Sequence, residues 1–231
     1  MAGAGIELVY EAIDLGGGVH ARIARPLEPD RLLDAAVAEG AEAPPYWAEL
    51  WPAGRALAAY VATLDLRGVR AVELGCGLAL PAVAAALRGA HVLAVDHDAD
   101  AVRLASLNGE QADGRVEGLR ADLLVSPGAV LERGPFDLVL AADLLYDGEL
   151  AVAVAGLMPA LTVPGGHALV AYPWPRQADG LAGTLSGDGW TVEVGELALP
   201  NRAGARAIGL LDATRAPASE HGSRWARLAA P

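Results

Sequence analysis

The chain has 231 residues, 53% of them hydrophobic and only 20% charged, which excludes general disorder and leaves ample length to bury a core. A net charge of −12, with 17 basic residues that are all Arg, excludes nonspecific attraction to a nucleic-acid backbone, because phosphate binding needs clustered cations. No apolar run reaches the roughly 20 residues that cross a bilayer, no basic and then apolar leader follows Met1, and the lone Cys76 forms neither an internal disulfide nor a Cys-based zinc cluster.

The expectation is therefore a cytoplasmic α/β domain with an N-terminal addition, no membrane association and no nucleic-acid partner. In chain order, Ile6 to Tyr10 and Val19 to Ile23 flank the glycine-rich turn Asp14 to Gly18 and read as a hairpin. Pro29 suits a first helical position, Leu32, Leu33, Ala36 and Val37 form an apolar stripe, and Gly40 ends that helix. After the Pro44-Pro45 break, a helix from Ala53 to Leu64 carries Leu57, Tyr60, Val61 and Leu64 at helical spacing.

Ala71 to Leu74 is a short buried strand, Leu80 to Leu87 an alanine-rich helix, and His91 to Val95 the next strand, closed by Asp96. Asp98 is a good N-cap for a helix to about Leu107. Val116 to Ala121, Phe136 to Ala141 and His167 to Tyr172 read as strands, with helices over 147–162 and 177–186. Thr191 to Leu197 and Ala205 to Leu211 read as a closing antiparallel pair, and the small, polar residues beyond Thr214 as a flexible tail. Strands separated by helices imply βαβ units, hence a parallel sheet covered on both faces.

The informative segment is Glu73-Leu74-Gly75-Cys76-Gly77-Leu78-Ala79-Leu80, a strand that enters a glycine turn and then a helix. Gly75 and Gly77 remove side chains where backbone approaches a ligand, and the helix start offers free N–H groups. Nineteen positions after Gly77, Asp96 ends the next strand, which suits a carboxylate accepting bonds from ribose hydroxyls. This pairing alone does not separate nicotinamide cofactors from S-adenosylmethionine. Three details favour the latter. Leu80 stands where a dinucleotide fingerprint has its third glycine, Glu73 is placed to help hold a cationic methionine end, and Asp122 follows the third parallel strand near an adenine amino group. The five histidines are scattered without metal-ligand spacing, so no metal is expected.

Glu73-Leu74-Gly75-Cys76-Gly77 resembles motif I of the class I (seven-β-strand) methyltransferases, with Ala79 where that motif often has a third glycine. Pro45-Tyr46-Trp47-Ala48-Glu49-Leu50-Trp51-Pro52 before it, and Ala142-Asp143-Leu144-Leu145-Tyr146-Asp147 after the fourth parallel strand, are similar to the family 16 methyltransferases, mostly protein-lysine methyltransferases. The resemblance runs from about Pro45 to Leu150. It implies a Rossmann-like, seven-stranded, mostly parallel sheet with helices on both faces and an antiparallel C-terminal strand, to which this chain adds a hairpin and helix. The division expected is 1–44 for that extension, 45–214 for the S-adenosylmethionine-binding methyltransferase domain, and 215–231 for the tail.

By the same resemblance Trp51 packs on the cofactor, Asp96 binds its ribose, Asp122 lies near the adenine and Ala141 lines the pocket. Trp51 also suits a core position. Asp143-Leu144-Leu145-Tyr146 matches the family's Asp-x-x-Tyr signature, which makes Asp143 and Tyr146 the candidate catalytic pair; Asp143 and Asp147 also suit the N-cap of the following helix. Trp47 and Trp174, the latter in the stiff loop Tyr172-Pro173-Trp174-Pro175-Arg176, are candidate acceptor contacts. The acceptor expected is a protein lysine, with a small molecule methylated at nitrogen or oxygen as the second possibility and a cofactor-binding partner protein without turnover as the third.

Overall fold

A computed structural model describes residues 6–41, 43–173, 178–199 and 207–217. Seven strands form one sheet in the order β5-β4-β3-β6-β7-β9-β8, where β3 is Arg70–Leu74, β4 His91–Asp96, β5 Val116–Arg120, β6 Phe136–Ala142, β7 Thr162–Tyr172, β8 Thr191–Leu197 and β9 Ile208–Thr214. The first five run parallel, and β9 is antiparallel to both β7 and β8. Side chains alternate between faces along a strand, and the core divides accordingly. Ala71, Leu138, Leu140 and Leu169 face the layer built by α2 (Pro52–Val61), α3 (Leu80–Leu87) and α4 (Ala99–Gly109). Val72, Leu74, Val139 and Val170 face the layer that includes α6 (Gly148–Leu161) and α7 (Asp179–Gly187). With both faces covered, the inner strands need unbroken apolar runs, which is how β3, β4 and β6 read.

The strand order reverses at β3. Its two neighbours, β4 and β6, continue the chain in opposite directions, and this switch point is where an open α/β sheet leaves a crevice at its carboxyl edge. Leu74 pairs with Ala141 there, so the turn after β3 and the segment after β6 emerge side by side.

The N-terminal extension is a separate two-stranded sheet, β1 (Leu8–Asp14) and β2 (His20–Pro26), followed by α1 (Pro29–Ala38). Ile13, Leu15, Ala21, Ile23 and Ala24 are buried in the same cluster as α2 and α3. Asn108, on α4 and 2% exposed, is the polar anchor. Its side-chain amide accepts from Ala24 N at 2.7 Å and donates to Ala24 O at 3.2 Å and to Leu78 O at 2.9 Å. It imitates a peptide group, giving β2 the pairing an adjacent strand would, and ties that edge to the turn after β3. Gln111 repeats the device at Arg22, accepting from its N–H at 2.8 Å and donating to its carbonyl at 2.7 Å. On the other side, Glu11 pairs with Arg25 at 2.7 Å and with Arg55 of α2 at 2.8 Å.

Two readings of the sequence shift. The apolar stripe of α1 is not a buried face: none of its residues is buried and Val37 is 59% exposed. The closing strand, expected over Ala205 to Leu211, of which 205 and 206 lie outside the described residues, runs on past Leu211 as β9, Ile208–Thr214. It extends through polar residues because Asp212 Oδ1 lies 3.1 Å from His167 Nδ1 of the paired strand, and Thr214 Oγ1 lies 3.3 Å from His167 Nε2. Among the described residues no helix is long and apolar enough to cross a membrane.

Candidate active site

Gly75 and Gly77 both have left-handed backbone, φ +61° and +49°. A Cβ on Gly75 would meet Leu144 Cδ2 at 2.3 Å, and one on Gly77 would meet the Trp47 carbonyl oxygen at 3.3 Å. Glycine is thus required twice over, by dihedral angle and by the close approach of the segments before α2 and after β6. Ala79, with φ +59°, is the left-handed N-cap of α3 and takes that conformation with a side chain.

Asp96 closes β4 beneath this turn and is 6% exposed. Its Oδ2 accepts from Gly77 N at 2.9 Å and its Oδ1 from Asp98 N at 3.0 Å, so the carboxylate is held rigidly beside the glycine turn. Burial pushes its pKa above the ordinary value. Glu73, 2% exposed, lies one layer deeper: its Oε2 accepts from Ala82 N at 2.8 Å, in the first turn of α3. Burial raises its pKa well above the usual range, and the Asp96 charge adds to that. Cys76 is buried, and desolvation followed by the charges of Asp96 and Glu73 raises its thiol pKa well above normal, so it stays protonated. Asp96, whose Oδ1 lies 3.4 Å from His97 Nδ1, is the carboxyl that borders the crevice, and an acidic group there suits a cationic ligand. That is the charge type of an S-adenosyl sulfonium with a free ammonium.

Asp122 follows β5, and its Oδ1 accepts from Leu124 N at 2.8 Å and Val125 N at 3.0 Å, leaving Leu124 49% and Val125 83% exposed. Ala141 is fully buried, in register with Leu74. Trp51 is no core residue: it is 39% exposed, and its Nε1 donates to the Tyr46 carbonyl at 2.8 Å. Trp47, in the 3₁₀ turn Tyr46–Ala48, is the buried one at 9% exposure, and its Nε1 has no partner among the described residues. An orphaned indole N–H costs on the order of 1–3 kcal/mol unless a ligand or water accepts from it.

After β6 the chain turns through Asp143, whose φ of +56° is uncommon for a residue with a side chain. Its Oδ2 accepts from Gly54 N at 3.2 Å, and the N–H of Ala53 also bonds it. Asp143 therefore caps the start of α2, a helix 89 residues away in sequence, while Asp147 caps α6 by accepting from Glu149 N at 2.8 Å and Leu150 N at 3.0 Å. Burial raises the Asp143 pKa to about 6, against the opposing pull of the Gly54 and Ala53 N–H groups. Tyr146 is 61% exposed. Trp174 lies outside the described residues. Sequence reasoning passed over two participants. Tyr46 was hidden among the aromatics of its segment, and Asn108 holds an apolar helical position after Leu104 and Ala105, a spacing that marks a polar residue with a buried task. Among the described residues no group of three or more His, Cys, Asp or Glu is placed to hold a metal ion.

The profile of the family described as lysine methyltransferase, family 16, matches residues 46–180. The electron transfer flavoprotein beta subunit lysine methyltransferase of Xenopus laevis is 39% identical over 112 residues, 46% of this chain and 43% of that protein. A ubiquinone biosynthesis O-methyltransferase of Xylella fastidiosa is 32% identical over 111 residues, with the same coverage. The chain thus aligns with less than half the length of these curated relatives. The 16S rRNA N2 G1207 methyltransferase of T. thermophilus, solved with its methyl donor and guanosine, shares the fold with a TM-score of 0.62 at 17% identity, over 90% of this chain and 50% of that one. The precorrin-6y C5,15-methyltransferase of Geobacter metallireducens does so with 0.58 at 14% identity, over 69% and 87%. The family profile spans more than half of the chain and coincides with the glycine turn, the Asp96 strand and the Asp143 loop; the chain belongs to the family 16 lysine methyltransferases, a family of class I enzymes that use S-adenosylmethionine.

Proposed function

We propose that this protein methylates the side-chain nitrogen of a lysine in another protein. The observation that carries the reading is the segment Asp143 to Tyr146, which follows the strand next to the glycine turn and puts an ionisable carboxyl and a phenol at the mouth of the same crevice. The 231 residues contain no lysine, so none of them is the acceptor.

In this reading Gly75 and Gly77 cradle the cofactor, Asp96 takes its ribose, Asp122 meets the adenine edge, and Trp51 and Ala141 bound the pocket. Burial favours the neutral form of Glu73, which acts from below by fixing the first turn of α3 through the Ala82 N–H. When bound, S-adenosylmethionine supplies a sulfonium methyl group that a nucleophile displaces in line. The protein's work is alignment and exclusion of water. A free lysine, with pKa near 10.4, is mostly protonated at neutral pH, and a carboxylate beside it favours the ammonium. Asp143 therefore grips and orients the acceptor; the proton leaves to solvent as the amine is desolvated. Since Asp143 ionises near pH 6, the acceptor KM falls as pH rises through 6, and Asp143→Asn removes that inflexion.

The test is incubation of the purified protein with a radioactive methyl donor and a cell lysate, followed by acid hydrolysis of the protein fraction. Methyl-lysine that disappears with Asp143→Ala supports the reading. Label confined to small molecules supports the second reading, a small-molecule methyltransferase, which the ubiquinone O-methyltransferase relative favours.

A further inference from the structure

The 3₁₀ turn Tyr46–Ala48 serves two sides. Trp47 lies against Gly77, while the adjacent Tyr46 points outward and is 42% exposed. The Tyr46 ring packs edge to face on Tyr146, with centroids 6.1 Å apart and planes at 65°, and on Trp51, at 6.3 Å and 62°. Trp51 fastens this arrangement, because its N–H is spent on the Tyr46 carbonyl. Two tyrosine rings from segments on opposite sides of the glycine turn are thus held together at the surface, where burying them in the core would have been more favourable.

The electrostatics of the pair are one-sided. Burial raises the Tyr146 hydroxyl pKa, and the charges of Asp147 and Asp96 add to it, so the phenol stays neutral and the nearby formal charges are negative. Among the described residues the cation–π contacts lie elsewhere, Arg22 over Tyr10 and Arg70 over Phe136. Among the described residues the rings have acidic neighbours and no cation stacked on them.

We infer that Tyr46 and Tyr146 form a pair of π walls that receive the cationic side chain of the acceptor, with Trp51 as the positioning residue that holds Tyr46 in place. The inference rests on the lysine reading above and names what recognises the ammonium. Ring quadrupoles attract an ammonium, and they hold a methylated ammonium as well, since added methyl groups weaken its hydration without removing its charge. A site of this kind keeps the product of a first transfer bound for a second. The occupant is a lysine side chain on another protein, in keeping with a net charge of −12 and a chain without lysine of its own.

The experiment uses the full chain saturated with S-adenosylhomocysteine and labelled in its tyrosine rings for NMR. Two probes are titrated: Nα-acetyl-trimethyllysine methylamide, and its neutral analogue with carbon in place of the charged nitrogen. The expected result is a shift of the Tyr46 and Tyr146 ring signals, with the charged probe bound about tenfold more tightly than the neutral one. Tyr46→Phe keeps that preference and Tyr46→Leu removes most of it, while both retain the cofactor affinity of the parent. Equal affinity for the two probes overturns the inference, and so does a preference unchanged in Tyr46→Leu. Ring signals that respond to S-adenosylhomocysteine alone, and not to the charged probe, overturn it too and assign the rings to the cofactor. The lysine reading fails separately, through hydrolysates without methyl-lysine; probe discrimination that survives that result supports the π walls for a cationic acceptor of another structure.

Discussion

The two sides of the crevice are built on opposite plans. Around the glycine turn the polar groups are buried and engaged: Asp96 holds the Gly77 and Asp98 N–H groups, Glu73 holds Ala82, and Asn108 ties Leu78 to the hairpin. At the mouth of the crevice the large groups are exposed: Tyr46, Trp51 and Tyr146 are 42%, 39% and 61% exposed. The contrast teaches a division of labour. In the proposed reading a rigid cofactor side suits one ligand of fixed shape, while an open acceptor side suits proteins with surfaces of many shapes, at a cost in exposed apolar area.

Substitutions test that division. The largest effect is expected from Gly75→Val, which forces a branched side chain onto Leu144 at a left-handed φ; it costs about 3 kcal/mol or more of stability and abolishes cofactor binding by calorimetry. A Gly75→Val protein with normal cofactor affinity would mean the frame is not rigid. Next is Asp143→Asn, expected to lower kcat/KM for the acceptor by roughly 100-fold, or about 2.7 kcal/mol, with cofactor affinity unchanged. If cofactor affinity falls equally, the two sides are not separable.

The same variant sharpens the comparison through stability. The folded pKa of Asp143, about 6, lies above its ordinary 3.8. Its stabilising contribution is therefore fully present below pH 3.8 and lost as pH rises through 6. Chemical denaturation should find Asp143→Asn more stable than the parent above pH 6, by on the order of 2 kcal/mol, with the difference shrinking towards pH 4. An advantage that is the same at both ends of that range would remove the carboxyl's burial as its cause.

Asn108→Ala follows, leaving three backbone groups without their partner and costing about 2 kcal/mol. It should weaken the cofactor side alone, raising the cofactor KM and sparing the acceptor KM. The smallest expected effect is Ala79→Gly, which relieves a left-handed alanine and raises stability by about 1 kcal/mol, read as a small increase in Tm.

Much of the frame was legible because it is written in local patterns. Apolar runs at β3, β4 and β6, and caps such as Asp98, depend on neighbours in the chain, and the spacing from Gly77 to Asp96 follows from one βαβ unit. What escaped was tertiary. Asp143 was readable as a local N-cap, yet its carboxylate serves α2, and nothing near position 143 records the N–H groups of Ala53 and Gly54. The extent of β9 depended on His167, a residue on another strand that satisfies Asp212 and Thr214. The stripe of α1 has helical periodicity, but periodicity says only that a face exists, not that anything covers it. The pairing of Tyr46 with Tyr146 joins segments that come together only at the switch point.

The Asn108 amide has a consequence beyond holding the hairpin in place. It makes Ala24 and Leu78 neighbours through a single planar group, so tightening of the loop by a bound nucleoside reaches the second strand of the extension as slower amide exchange at Ala24. Linkage runs both ways: a factor that grips residues 8–26 alters donor affinity by the same ratio in which the donor alters its own. A hairpin outside the seven-stranded sheet thereby becomes a handle on the glycine turn.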